Sequence, residues 1–273
     1  MSGEANHHYL ESSLYLGPAT IEGYEMYDVG WYPAIIPGDN LIIGELYQVP
    51  EKDMSYIDML EGECSLYLKK CEIVTDAEGK TTFTLVYVYM KDCSKFKRIS
   101  SWKEYVWYVS YGSNMLKERF MHYIEGGYFE NCYREPCDDS TPPVAVITLE
   151  IPYDMYFGNE SISWNGGGVS FIDTTKKGKA LAVAYLISRD QFEHIISQEN
   201  SGRYPQDGYN WYENIIDLGM MDGFEVKTIT NRILRPYNDP CNAYWDTLVK
   251  GIKENWPQMS DEDIKSYLIN CIR

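Results

Sequence analysis

One pattern occurs twice in this chain and constrains its fold more than any other feature. Residues 44–61 and residues 182–199 each begin with a small residue and carry a tyrosine three positions on, Tyr47 in the first and Tyr185 in the second. Each ends on a glutamate 14 residues after that tyrosine. In both copies strand-like residues give way to a helical period. Phe192, Ile195, Ile196 and Glu199 fall at i, i+3, i+4 and i+7, and Met54, Ile57 and Glu61 at i, i+3 and i+7, the spacing of one helix face. A carboxylate on a core-facing stripe is costly unless it is paired or protonated. For either copy alone, a helix-end glutamate turned to solvent is the plainer reading. Recurrence at the same offset points instead to working carboxylates at Glu61 and Glu199.

The remaining pattern fits two units. Residues 14–49 read as short strands and turns punctuated at Pro37-Gly38, and residues 81–90 alternate as a strand. The polar stretch 91–101 reads as a linker. A strand is expected at 105–111, a helix near 115–125, and a loop at 132–143, which holds three prolines and several acids. Strands at 144–151, 181–187 and 224–230 and closing helices near 242–254 and 261–272 complete the reading. With 273 residues, 44% of them hydrophobic, the chain can bury one large core or two modest ones. The expected division is 1–98 and 104–273.

Charge and composition narrow the partners. A net charge of −17, from 24 basic and 41 acidic side chains, repels phosphate backbones and anionic lipids, so neither nucleic acid nor membrane is expected. No stretch reaches the roughly 20 apolar residues of a membrane span, and the N-terminus lacks the pattern of a secretory signal. Seven cysteines without a C-x-x-C pair are expected to be reduced cytoplasmic thiols. The four histidines show no metal-ligand spacing. The 25 tyrosines suit a chain that lines pockets with hydroxyls, although composition alone proves no such pocket. Gly166-Gly167-Gly168 lacks the Lys-Ser/Thr of a phosphate loop and reads as close backbone packing.

Four motifs in order then carry a resemblance. Tyr111-Gly112-Ser113-Asn114 between strand and helix, Phe157-Gly158-Asn159, Trp164-Asn165-Gly166-Gly167, and the Tyr185 strand followed by the Glu199 helix together resemble the γ-glutamylcyclotransferases, over residues 105–260. The first half resembles the related γ-glutamylamine cyclotransferase branch, through Leu16-Gly17-Pro18-Ala19-Thr20, Gly23-Tyr24, Tyr32-Pro33, Gly44-Glu45-Leu46-Tyr47 and Leu60-Glu61-Gly62. Tyr67 stands where that branch has an aromatic after its glutamate. Gly3-Glu4-Ala5-Asn6-His7-His8-Tyr9-Leu10 matches the segment just after that branch's opening Y-G-T-L motif, which is itself absent here. The match implies such a motif in frame upstream of Met1, or else a degenerate first unit. The second half departs from the pattern at Asn200-Ser201, where the family has glycine, and at Asn165, where close members have histidine.

The resemblance implies an α+β fold of two tandem small mixed β-barrels with flanking helices. It also implies a cofactor-independent reaction: the α-amine of a γ-glutamyl group attacks its own γ-carbonyl and releases 5-oxoproline and an amine. Glu199 is then the acid/base, with Glu61 as its counterpart in the first unit. Tyr111, Gly112, Ser113 and Asn114 form the nest for the substrate carboxylate, while Asn159, Trp164, Tyr212 and Tyr237 shape the pocket. The implied partner is a small γ-glutamyl molecule; oligomeric state and the amine part of the substrate are left open. Two other readings stand beside this one, a non-catalytic γ-glutamyl or amino-acid binding module and an amide hydrolase in which Glu199 activates water.

Overall fold

Alternating β-branched and aromatic residues give the first half of the chain its strands. The computed structural model describes residues 7–30, 32–99, 101–129, 132–205 and 211–272; the Gly3-to-Asn6 part of the family resemblance lies outside them. Strands β1 (Leu14–Asp28) and β2 (Pro33–Gln48) form a long antiparallel hairpin, followed by helix α1 (Glu51–Glu61). Strands β3 (Tyr67–Asp76), β4 (Thr81–Tyr89) and β5 (Lys97–Ile99) complete an antiparallel sheet in the order β2-β1-β3-β4, with β5 on β1. Ala19, Ile21, Tyr24, Met26, Ile42, Val74 and Val88 fill its core.

Three expectations are corrected here. Pro37-Gly38 separates no two strands but lies within β2. The β1/β2 register slips there, with Tyr24 facing both Pro37 and Asn40. A Cβ on Gly38 would stand 2.2 Å from Cγ of Glu25, so this glycine answers a close approach within a bulge rather than a turn. Part of the expected linker, residues 97–99, is β5, paired with β1. Among the described residues, finally, the sheet runs as an antiparallel path from β2 to β4, and no ladder joins these two strands into the expected mixed barrel, as closure would require.

The second half contains β6 (Tyr105–Ser110), a 3-10 turn (Ser113–Met115), α2 (Lys117–Glu125), β7 (Gly127–Phe129), β8 (Cys132–Arg134), β9 (Ala145–Ile151), β10 (Asp154–Gly158), β11 (Val169–Asp173), β12 (Ala180–Ser188), α3 (Arg189–Glu199), β13 (Asn214–Met221), β14 (Phe224–Thr230), α4 (Asn242–Asn255) and α5 (Asp261–Asn270). Its main sheet runs β13-β14-β6-β12-β9, with β14 and β6 parallel. Among the described residues no ladder joins β13 to β9, and β10 and β11 pair with each other in a separate two-stranded sheet. The first residues of the expected 132–143 loop form β8, which pairs with β7. Every residue of β12 is buried, as its unbroken apolar run requires.

The backbone separates into two compact units. One comprises Met1–Tyr105 with Pro142–Ala145 and Asp222–Phe224; the other comprises Val106–Thr141, Val146–Met221 and Glu225–Arg273. Among the described residues no disulfide joins any of the seven cysteines. No helix among the described residues is long and apolar enough to cross a membrane.

Candidate active site

Two neighbouring strands of the second unit, β6 and β12, deliver its chemistry. β6 ends in Tyr111-Gly112-Ser113-Asn114, which folds into the 3-10 turn. β12 feeds α3, whose first turn is locked by a capping box between Ser188 and Gln191. The helix buries Gln191, Phe192, Ile195 and Ile196 and leaves Glu199 half-buried at its last position. Asn114, only 3% exposed, donates from Nδ2 to Glu199 Oε1 at 3.1 Å. Tyr185, the tyrosine of the repeat, donates its hydroxyl to the Asn114 carbonyl at 2.8 Å and stacks on Phe120. Strand, turn and glutamate are thereby fixed to one another.

These groups line a cavity of about 380 Å³, of a size that takes a small ligand. Of the residues expected from sequence, Tyr111, Gly112, Ser113, Asn114, Trp164, Glu199 and Tyr212 line it. The Tyr111 hydroxyl is committed to the Ile229 carbonyl at 2.6 Å. A Cβ on Gly112 would press on Tyr244 Oη at 3.2 Å and Ser170 Cβ at 3.3 Å, so the turn passes close to the opposite wall. Asn159 and Tyr237 do not line the cavity. Asn159, in the left-handed region at φ 58°, donates its backbone N–H to the Pro236 carbonyl and accepts the Asn238 side-chain amide at its own carbonyl. Tyr237 bridges to Gly158 and sets its ring against Tyr156.

Glu61 and Tyr67 belong to the first unit. Helix α1 has 11 residues, like α3, and ends on its glutamate before left-handed Gly62. Unlike α3 it has no fully buried residue, so its Met54, Ile57 and Glu61 stripe is only half-covered. Burial raises the Glu61 carboxyl above the usual carboxylate range and holds the Tyr67 hydroxyl well above the tyrosine range, with the Glu61 charge adding to it. The folded state then keeps its proton at a pH where the unfolded state has lost it. Stability must therefore fall as pH rises through that window. Glu61→Gln is expected to remove this fall, so its unfolding midpoint in urea gains on the parent's between pH 4 and 7.

Sequence reasoning missed several residues of the second unit. Ser170 donates its backbone N–H to Tyr244 Oη at 3.0 Å and accepts that tyrosine's hydroxyl at Oγ, also at 3.0 Å. Its carbonyl accepts the Tyr212 hydroxyl at 3.1 Å. Asn200, 3% exposed, accepts the Tyr212 backbone N–H at 2.7 Å and donates to its carbonyl at 3.1 Å. Asn200, directly after Glu199, thus clamps the end of α3 to residue 212. Arg119 and Arg134 both donate to the hydroxyl of Tyr123, at 3.1 and 2.7 Å. Burial keeps the hydroxyls of Tyr108, Tyr123, Tyr212 and Tyr244 above their ordinary range, with the Glu199 charge adding to each. They remain protonated donors at neutral pH.

Residues 1–106 match the family described as gamma-glutamyl cyclotransferase, AIG2-like. A γ-L-glutamyl-butirosin B γ-glutamyl cyclotransferase of Niallia circulans is 34% identical over 110 residues, covering 38% of this chain and 70% of that protein. A putative γ-glutamylcyclotransferase of Methanocaldococcus jannaschii is 35% identical over 101 residues, covering 36% of this chain and 82% of that protein. The chain belongs to the γ-glutamylcyclotransferase family. A longer match, 28% identical over 204 residues and 61% of this chain, is to Arabidopsis thaliana histone deacetylase 5; it spans only 31% of that protein's length. Among solved structures, YkqA of Bacillus subtilis is 19% identical with a TM-score of 0.36, covering 99% of this chain and 93% of that one. A γ-glutamyl cyclotransferase structure is 20% identical with a TM-score of 0.39, covering 62% and 89%. At these scores neither adds to the family assignment.

Proposed function

We propose that the unit carrying Glu199 catalyses γ-glutamyl cyclotransfer. The observation that carries this reading is the Glu199 carboxylate, held by Asn114 of the Tyr111-to-Asn114 turn inside a tyrosine-lined cavity. In this reading the turn receives the substrate's α-carboxylate on its backbone N–H groups. The α-amine then faces its own γ-carbonyl, and attack within one molecule needs little beyond that folded shape. A C–N bond forms between α-amine and γ-carbon, and the γ-amide C–N bond breaks. Glu199 takes the proton leaving the α-nitrogen and gives it to the departing nitrogen.

The products are 5-oxoproline and a free amine, with no cofactor in the scheme and a small cytoplasmic γ-glutamyl molecule as substrate. The two units, read as domains 1–98 and 104–273, are two copies of one ancestral design in which the second holds the complete pairing of turn and glutamate. Incubation with γ-glutamyl amines, γ-glutamyl dipeptides and glutathione tests the reading. Release of 5-oxoproline supports it, free glutamate indicates hydrolysis, and ligand binding without either product indicates a binding module.

A further inference from the structure

Two guanidinium groups line the Glu199 cavity, and among the described residues no carboxylate comes within ion-pair distance of either. Arg119 is 3% exposed, and its Nε and Nη1 are buried without a hydrogen-bond partner. Arg134, half-buried, likewise leaves Nε unpartnered. Yet both direct one nitrogen at the same oxygen: Arg119 Nη2 and Arg134 Nη2 donate to Tyr123 Oη at 3.1 and 2.7 Å. Their charge otherwise meets rings, Arg119 at 5.0 Å and Arg134 at 3.9 Å from the centroid of Tyr123. Aromatic faces offset only part of the cost of taking a cation out of water, so packing alone does not account for this convergence.

The hydroxyl that accepts both N–H groups donates its own proton to Glu199. Positive charge therefore reaches the carboxylate through a neutral phenol. Hydrogen bonds in a chain polarise one another, so two cationic donors on the Tyr123 oxygen strengthen its O–H as a donor. A guanidinium forked directly onto Glu199 would engage both carboxylate oxygens and hold such a group about 1–3 pH units below its ordinary range, where it accepts a proton poorly. The phenol keeps the orientation and weakens the field. The remaining groups around Glu199 are neutral or distant. Asn114 donates to Oε1 at 3.1 Å. Tyr108 from β6, Tyr212 from the segment ahead of β13 and Tyr244 from α4 feel its charge as hydroxyls, and Arg134 of β8 feels it at longer range. Glu160, the other carboxylate of the cavity lining, is exposed. Among the described lining residues the cations are the two that meet at Tyr123.

We propose that Arg119 and Arg134 act through Tyr123 as positioning residues that keep the Glu199 carboxylate oriented and charged. Its use in proton transfer rests on the cyclotransferase reading, in which Glu199 must meet the substrate without a proton; Tyr123 keeps its own proton throughout. Tyr123→Phe removes the hydroxyl and leaves the ring beside both guanidiniums. The acid limb of 5-oxoproline release from γ-glutamylalanine should then move up by about one pH unit, the scale of one charge-assisted hydrogen bond. Arg134→Met, which removes one of the two cations, should move it the same way by less, and Arg134→Lys should fall between the methionine variant and the parent. Titration of the glutamate side-chain carboxyls by ¹³C NMR reads the same shift without turnover, the Glu199 signal being the one missing from Glu199→Gln. A Glu199 signal that titrates at the same pH in the parent and in folded Tyr123→Phe overturns the proposal. So does a uniform loss of turnover at every pH with the limb unmoved, which would make Tyr123 a packing group. If Tyr123→Phe does not fold, the Arg134 variants decide by the same two readings, and no movement in Arg134→Met overturns it. A shifted carboxyl titration with no 5-oxoproline from the parent supports the positioning role and counts against the cyclotransferase reading alone.

Discussion

Glu199→Gln lowers 5-oxoproline release by roughly 10²–10⁴-fold, the usual range for a lost acid/base, while γ-glutamyl ligands still bind. The expectation follows from geometry. A glutamine carbonyl accepts the Asn114 Nδ2 hydrogen bond that Glu199 Oε1 now accepts at 3.1 Å, so the wall of the cavity keeps its shape. What disappears is a group able to take a proton from one nitrogen and return it to another. Glu61→Gln is expected to change turnover far less, because α1 carries no comparable link to a Tyr-Gly-Ser-Asn turn among the described residues. Product release measured for both variants beside the parent separates the two glutamates. Loss of activity in Glu61→Gln with Glu199→Gln unaffected would place the reaction in the first unit.

Gly168→Ala should destabilise the second unit by about 3 kcal/mol or more, in the range of severe overpacking. A Cβ there would stand 2.0 Å from the Asn238 carbonyl oxygen and 2.8 Å from its carbon. Those are backbone atoms that no rotamer change can move. The neighbouring backbone is pinned as well, since Gly168 N–H donates to the Asp239 carbonyl at 2.8 Å and a Cβ on Gly167 would meet Cys241 N at 2.5 Å. Gly166 offers an internal control. It sits at φ 79° with open space where its Cβ would be, so Gly166→Ala costs only the left-handed penalty of about 1–2 kcal/mol. Urea unfolding of the two variants measures the difference, and equal losses would remove close backbone packing as the reason for the glycine run.

Much of the candidate site was legible because it lies in short, ordered motifs. The Tyr185-to-Glu199 spacing reflects a strand feeding an 11-residue helix, and the Tyr111-to-Asn114 turn directly follows a buried strand. The arginines were less visible. Arg119 falls on the same face of α2 as Phe120, Tyr123 and Ile124, all buried, and a charge on an apolar stripe was a signal available for reading. Arg134 had no such signal, because β7 and β8 have only three residues each and no periodicity reveals what they face. Ser170 and Tyr244 meet across 74 positions of sequence, a tertiary contact no local pattern encodes. Pro37-Gly38 misled for the opposite reason: its composition suits a turn, yet the packing of Glu25 against Gly38 sets its conformation. Barrel closure was not legible either, because it depends on ladders between strands far apart in the chain, and among the described residues none joins the sheet edges.

The Asn200 clamp has an evolutionary consequence. Its side chain joins the end of the glutamate helix to residue 212 through a reciprocal pair of backbone hydrogen bonds, and residue 212 carries a wall of the cavity. Substitutions that move this wall must drag the neighbouring glutamate with them, so along that side specificity and rate cannot drift apart. The opposite side is tied to the same helix: Arg134 donates to the Gln198 carbonyl at 3.3 Å, and Gln198 donates to the Tyr123 carbonyl at 3.1 Å. Lineages that change the ligand they accept should therefore leave the 200-to-212 latch intact.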